Sequence, residues 1–115
     1  MGQPQGNADS PPIPRAAPLG TTGRLFFVHT SSLKTHAAAE LDAAKLKRAG
    51  LPTALRQVEI PERGLWWRVY LGPYGQRADA VAVAERVKAD GLTDYTQIHR
   101  LLTSDVEVGT GQGDR

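Results

Sequence analysis

Leu65-Trp66-Trp67-Arg68-Val69-Tyr70-Leu71-Gly72-Pro73-Tyr74 is the stretch that decides the fold. Its first seven residues are aliphatic or aromatic except for one Arg, a composition that suits a strand, and Gly72-Pro73 reads as the turn that follows. Laid over the chain upstream, the stretch finds a partner at an offset of 41, the distance from Val28 to Val69. At that offset Leu33 falls on Tyr74, Ala37 on Ala78, Ala39 on Ala80 and Ala43 on Ala84. Leu46 falls on Val87, Lys47 on Lys88, Gly50 on Gly91 and Leu51 on Leu92. The sequence therefore holds two copies of one unit. Each copy has an apolar run (Leu25 to Thr30; Leu65 to Leu71), a turn (Ser31-Ser32; Gly72-Pro73), an Ala-rich segment and a Gly.

The Ala-rich segments carry apolar residues at i, i+4 and i+7 (Ala39, Ala43, Leu46; Ala80, Ala84, Val87), one face of a helix. The second helix is expected over Gln76 to Gly91. Gly50 and Gly91 suit the left-handed position just past a helix end. Extended segments follow, Leu51 to Ile60 and Thr93 to Leu101, and Pro61-Glu62-Arg63-Gly64 reads as a hairpin between the halves. The order is βαββαβ, an α+β, ferredoxin-like or RNP-like arrangement. Right-handed crossovers put both helices on one face of a four-stranded antiparallel sheet, with the first and third strands central. The other face is left open.

Strand alternation places residues on faces. Val28, Thr30, Trp67, Val69 and Leu71 fall on the helix side. Phe27, His29, Trp66, Arg68 and Tyr70 fall on the open side, with Ser31 at its end. Flat rings beside a guanidinium and an imidazole suit sugar rings or nucleobases, by stacking and by hydrogen bonding to hydroxyls or phosphates. The plainer readings are cross-strand packing for Trp66 and Tyr70, and a solvated ion pair of Arg68 with Glu59 or Glu62. His36 and His99 read as surface residues, and Ser31-Ser32 as a helix N-cap.

Composition narrows the function. The chain has 115 residues, 14 Lys+Arg, 12 Asp+Glu and no Cys. Five of its eight Pro lie before residue 20. Residues 1–23 read as a disordered Pro/Gly-rich linker and residues 103–115 as a disordered tail, leaving a folding unit over 24–102. A unit of that size buries about 60–65% of its unfolded surface, too little for a large multi-step enzyme. Without Cys there is no thiol catalysis, disulfide or Cys-based zinc site. Three scattered His give no metal spacing, and no Ser/His/Asp or paired-carboxylate pattern marks a catalytic centre. No catalytic residue, metal or cofactor is expected. The folding unit carries 12 basic and 8 acidic residues over 24–101. It lacks the basic stripe of a nucleic-acid binder. No run is long and apolar enough to span a membrane, and nothing after Met1 reads as a signal peptide. The chain is expected to be cytosolic, or a fragment whose export or anchoring segment lies elsewhere.

Arg68-Val69-Tyr70-Leu71-Gly72-Pro73-Tyr74 resembles the R-V-x-[VL]-G-P-[FY] signature of the sporulation-related repeat, the SPOR domain. Arg86-Val87-Lys88-Ala89-Asp90-Gly91-Leu92 resembles the end of that family's second helix, and Leu46 to Pro52 the end of its first. Val28-His29-Thr30-Ser31-Ser32-Leu33 resembles its V-Q-V-G-S-F strand and turn. The resemblance covers residues 25 to about 100. It implies a non-catalytic module that binds peptidoglycan, preferring glycan strands stripped of stem peptides at the division septum. Such modules sit in the periplasm or cell envelope, tethered by a linker to a membrane anchor or wall hydrolase. Peptidoglycan glycan strands are then the expected partner, with no nucleic acid and no membrane insertion by this chain. The alternative is a single-stranded RNA-binding or protein-interaction domain that uses the same open face. Carried over position by position, the family's glycan contacts imply His29, Ser32, Trp66, Arg68 and an aliphatic position near Thr96. Tyr70 joins them from the open-face reading. His29 replaces the family's Gln, Ser31 its turn Gly and Leu33 its Phe. A neutral His29 keeps a donor and an acceptor for a sugar, and its protonation would make binding depend on pH.

Overall fold

A computed structural model describes residues 13–18 and 20–108. The elements are β1 (Arg24–Leu33), α1 (His36–Arg48), β2 (Thr53–Ile60), β3 (Gly64–Tyr74), α2 (Arg77–Ala89), β4 (Gln97–Leu102), a 3-10 turn (Thr103–Asp105) and β5 (Glu107–Val108). The sheet order is β4-β1-β3-β2-β5 and every pairing is antiparallel. The expected α+β fold is present, with β1 and β3 central. The repeat is kept in the helices: α1 runs 36–48 and α2 runs 77–89, each end shifted by 41.

The helices end as their glycines require. Gly50 and Gly91 have φ of 87° and 75°. The amide after each donates back to the helix, Leu51 to the Leu46 carbonyl at 3.2 Å and Leu92 to the Val87 carbonyl at 2.9 Å. This is the Schellman pattern, and it satisfies carbonyls that a helix end leaves orphaned. Lys45, Lys47 and Arg48, and Arg86 and Lys88 in α2, occupy the last turns, where positive charge suits the helix dipole. The N-cap of α1 is Thr35, whose Oγ1 accepts from the Ala38 amide at 3.1 Å, rather than the Ser31-Ser32 pair expected.

Both helices lay their Ala-rich stripe on the sheet. Ala39, Ala43 and Leu46 of α1 and Ala80, Val83, Ala84 and Val87 of α2 pack against Val28, Leu55, Val69 and Leu71. Small side chains let the helix backbones approach closely, so a two-layer unit of this size still closes a dry core.

Three features depart from the sequence expectations. First, both expected turns lie inside strands: β1 continues through Leu33 and β3 through Tyr74. Second, residues within the expected linker and tail are packed against the domain. Ile13 touches the helix-side core, Ala17 and Val106 touch the opposite sheet face, and β5 pairs with Ala54 and Leu55. The Ala17 amide donates to the Pro73 carbonyl at 2.7 Å. Residues 1–12, 19 and 109–115 of the expected linker and tail lie outside the described residues. Third, the β1–β3 register shifts between His29 and Ser31. That bulge inverts the alternation, because one extra residue turns every later side chain to the other face. Ser31, expected on the open face, instead donates from Oγ to Asp42 of α1 at 2.6 Å, and Ser32 takes the open face.

Gly72 has its own reason to be Gly. Its φ is 128°, and a Cβ there would lie 3.0 Å from the Phe26 carbonyl oxygen. Backbone conformation and close approach both exclude a side chain.

Candidate functional site

The sheet face away from the helices is built from alternate residues of four strands. β4 gives Gln97, His99 and Leu101; β1 gives Leu25, Phe27, His29 and, past the bulge, Ser32; β3 gives Trp66, Arg68 and Tyr70; β2 gives Ala54, Arg56 and Val58. One end of this face is closed. Leu25, Phe27, Ala54 and Tyr70 form a second buried cluster, covered by Ala17, Leu101 and Val106. Phe27 and Tyr70 are 0% exposed. Their rings meet edge to face at 5.9 Å, a favoured aromatic geometry.

Tyr70, expected among the contact residues, is buried in this cluster. Its hydroxyl lies 3.2 Å from His99 Nδ1 and orients the His99 ring. His99 Nε2 in turn lies 2.9 Å from Gln97 Oε1, which also accepts from the Tyr95 hydroxyl at 2.9 Å. Tyr70 donating to Nδ1 fixes His99 as the Nε2–H tautomer, with that proton directed to Gln97.

His29 sits behind this relay. It is buried, with the rings of Tyr70, Tyr95 and His99 5.2 to 5.4 Å away. Nε2 lies 3.1 Å from both the Ser31 carbonyl and Ser32 Oγ, and the carbonyl, a pure acceptor, assigns the proton to that nitrogen. Burial first, then the charge of Arg68 and the proximity of His99, push its pKa down to about 4. The neutral ring therefore positions Ser32 and is not itself exposed to a ligand. Thr96 is half-buried in the segment just before β4; the open-face position there is Gln97, opposite His29.

Ser32, Trp66 and Arg68 remain accessible at the open end. Ser32 and Arg68 are cross-strand partners, and Trp66 lies on the same face of β3 two residues before Arg68. Trp66 is held as a platform. Its Nε1 donates to the Arg63 carbonyl at 3.2 Å, and the Lys34 ammonium lies 4.5 Å from the ring centroid. A cation over an indole face is attracted by the ring quadrupole.

Sequence reasoning missed Arg56, Tyr95, Gln97 and His99. The alternation Ala54, Arg56, Val58 would have flagged Arg56, since the pattern makes it face-sharing with Ala54. Gln97 and His99 needed the register of β4. His36, expected as a bare surface residue, contacts the Trp67 ring at 4.4 Å and Glu107 of β5 at 3.2 Å, on the helix side of the sheet. Among the described residues no group of His, Cys, Asp and Glu could hold a metal ion.

Comparison with known proteins agrees with this architecture. The family model for the SPOR domain matches residues 22–96, which takes in β1 through α2 and stops before β4. Neither the comparison with curated proteins nor that with solved structures gave a match. With the repeat, the two capped helices and the aromatic–arginine face all inside the matched span, the chain belongs to the SPOR domain family, whose members are peptidoglycan-binding modules of the division septum.

Proposed function

We propose that the open end of the sheet face binds glycan strands stripped of their stem peptides, and that the domain is a non-catalytic module directing its parent protein to the septal wall. The observation that carries the reading is the juxtaposition of Ser32, Trp66 and Arg68 on one accessible patch, with Trp66 and Arg68 on one strand. Trp66 offers a flat apolar surface to a sugar ring. Ser32 and Arg68 offer hydrogen-bonding groups to its hydroxyl, acetamido or carboxyl substituents. A polymer fits better than a small molecule, since the patch is a shallow open surface without an enclosing pocket. Among the described residues no helix is long and apolar enough to cross a membrane, consistent with a module that is carried by its parent.

Co-sedimentation with purified sacculi tests the proposal. The wild-type domain is expected to pellet with the wall, and Trp66→Ala and Arg68→Ala to stay in the supernatant while keeping the native circular-dichroism spectrum. A folded double variant that pellets like wild type would place binding elsewhere on the molecule.

A further inference from the structure

Residues 13–18 form a strap from one layer of the domain to the other. Ile13 packs, partly buried, on the helix-side core, and Ala17 packs on the Phe27–Tyr70 cluster of the opposite face. Among the described residues one backbone bond joins the strap to β3, from the Ala17 amide to the Pro73 carbonyl at 2.7 Å. The Pro18 carbonyl then accepts from the Thr21 amide at 3.1 Å and the Thr21 hydroxyl at 2.7 Å, in a turn that leads towards β1. The tail is tied to this turn at Thr103, whose hydroxyl donates to the Thr21 carbonyl and whose amide donates to the Gly23 carbonyl, each at 3.4 Å. Ala17, Leu101 and Val106, the residues that cover Phe27 and Tyr70, all lie outside the span 22–96 matched by the family model.

The strap fits loosely. A depression of about 170 Å³ remains where Ala17 and Pro18 meet Pro73 and Thr103. Another, of about 460 Å³, lies where Ile13 to Ala16 face Gly50, Leu51 and Pro52. A permanent core leaves few voids larger than a water molecule. The composition of the strap also keeps its docked and released states close in free energy. Ala16 and Ala17 have no side-chain rotamers to lose on docking, and Pro14 and Pro18 restrict the backbone in either state. Few buried contacts and one bond to the sheet are the marks of a segment that opens locally while the rest stays folded.

We propose that the strap is a lid on the open sheet face. Docked, it withholds the Phe27–Tyr70 end from a ligand; released, it lets a strand bound at Trp66 continue over those rings. The inference rests on the glycan reading above and adds regulation to the same face. Tyr70 is four residues beyond Trp66 on β3, about 13 Å along the strand, and Phe27 lies beside it. The bonds of Thr103 make the tail segment that carries Val106 leave with the strap. Apolar surface uncovered by release is covered again when sugar rings pack on the freed aromatics, so the cost of opening is recovered only with a ligand in place. A domain whose open state is partly populated binds more weakly by that fraction, and whatever shifts the strap shifts the affinity with it.

The test uses the full chain. Affinity is read from co-sedimentation with purified sacculi, and docking of the strap from hydrogen exchange at the Ala17 and Thr21 amides. Ile13→Ser removes the anchor and Ala17→Pro removes the amide that bonds Pro73. Both should speed exchange at Thr21, keep the native circular-dichroism spectrum and bind sacculi about threefold or more tighter than wild type. Ala17→Val, which fills the smaller depression, should slow exchange and weaken binding by a similar factor. Sacculi added to wild type should speed exchange at Ala17. Should Ile13→Ser unfold, Ala17→Pro carries the same comparison. If a folded variant with a freely exchanging strap binds no more tightly than wild type, the strap is a fixed cover: the lid is overturned, and the glycan reading stands on the binding of wild type. Pelleting by the released variants alone supports the lid in its strongest form. If neither wild type nor the released variants pellet, the glycan reading fails and the lid falls with it.

Discussion

Along β1 and β3, the sheet face changes character within a few residues. At one end Phe27 and Tyr70 are fully excluded from water, covered by Ala17, Leu101 and Val106. At the other, Ser32, Trp66 and Arg68 stay accessible and Arg56 adds a second guanidinium, neither of the two having an ion pair among the described residues. Both ends belong to the same strands and the same pleat. What separates them is which residues cross over: Ala17, Leu101 and Val106 pack on the apolar end. The covered end gives stability, and the open end keeps polar groups that would be costly to bury without partners. His29 lies at the border, already buried yet hydrogen-bonded to Ser32 of the open patch.

The sharpest way to break the comparison is to remove a ring from the covered end. Tyr70→Ala leaves a cavity among Leu25, Phe27 and Ala54 and is expected to lower stability by about 3–5 kcal/mol, measured by urea unfolding. Tyr70→Phe, which loses only the bond to His99, should lower it by about 1 kcal/mol. Equal losses for the two variants would mean that the cluster is not a packed core.

The border residue makes a pH prediction. His29 takes up its proton near pH 4 in the folded chain and near 6.5 when unfolded. Between those values the unfolded state binds more protons, so stability falls as pH drops from about 6.5 towards 4. The contribution is about 3 kcal/mol by the pKa difference. His99 acts in the same direction. His29→Gln should flatten the acid limb of a stability-against-pH curve; an unchanged limb would show that His29 is not its source. Sugar binding through Ser32, which the neutral His29 ring positions, should be flat between pH 7 and 8.

Where β3 passes Phe26, Gly72→Ala is expected to destabilise by about 1–3 kcal/mol through its positive φ and the carbonyl contact. Thermal melting would show this as a lower Tm with sacculus binding retained, because Gly72 lies away from the open patch. Smallest in stability is Trp66→Ala, expected to cost about 1 kcal/mol or less, since the ring is half exposed and its main attraction is to Lys34. Yet this is the variant expected to lose the wall. A loss of binding without loss of Tm at Trp66, set against the reverse at Tyr70, is the double result that separates the two ends.

Much of the fold was legible from local pattern. The Ala stripes, the glycines past each helix and the 41-residue offset each depend on residues near one another in sequence, and all reappear in the structure. Trp66 and Arg68 were legible as well, because β3 runs without a register shift against β2. The accessible face was less so. Tyr70 has the same alternation as Arg68, and nothing in β3 tells that one is covered and the other is not.

The sequence by itself determined the βαββαβ order, the two helix faces and the aromatic–arginine strand, since helical and strand periodicities are local. Tertiary structure alone decided three things. The bulge after His29 exchanged Ser31 for Ser32 on the open face, because its effect is defined only against the partner strand. The packing of Ala17, Leu101 and Val106 over Phe27 and Tyr70 depends on segments far apart in the chain meeting over one cluster. The pairing of Arg56 with Arg68 came from the β2–β3 register, where two charges unremarkable in sequence are held face to face.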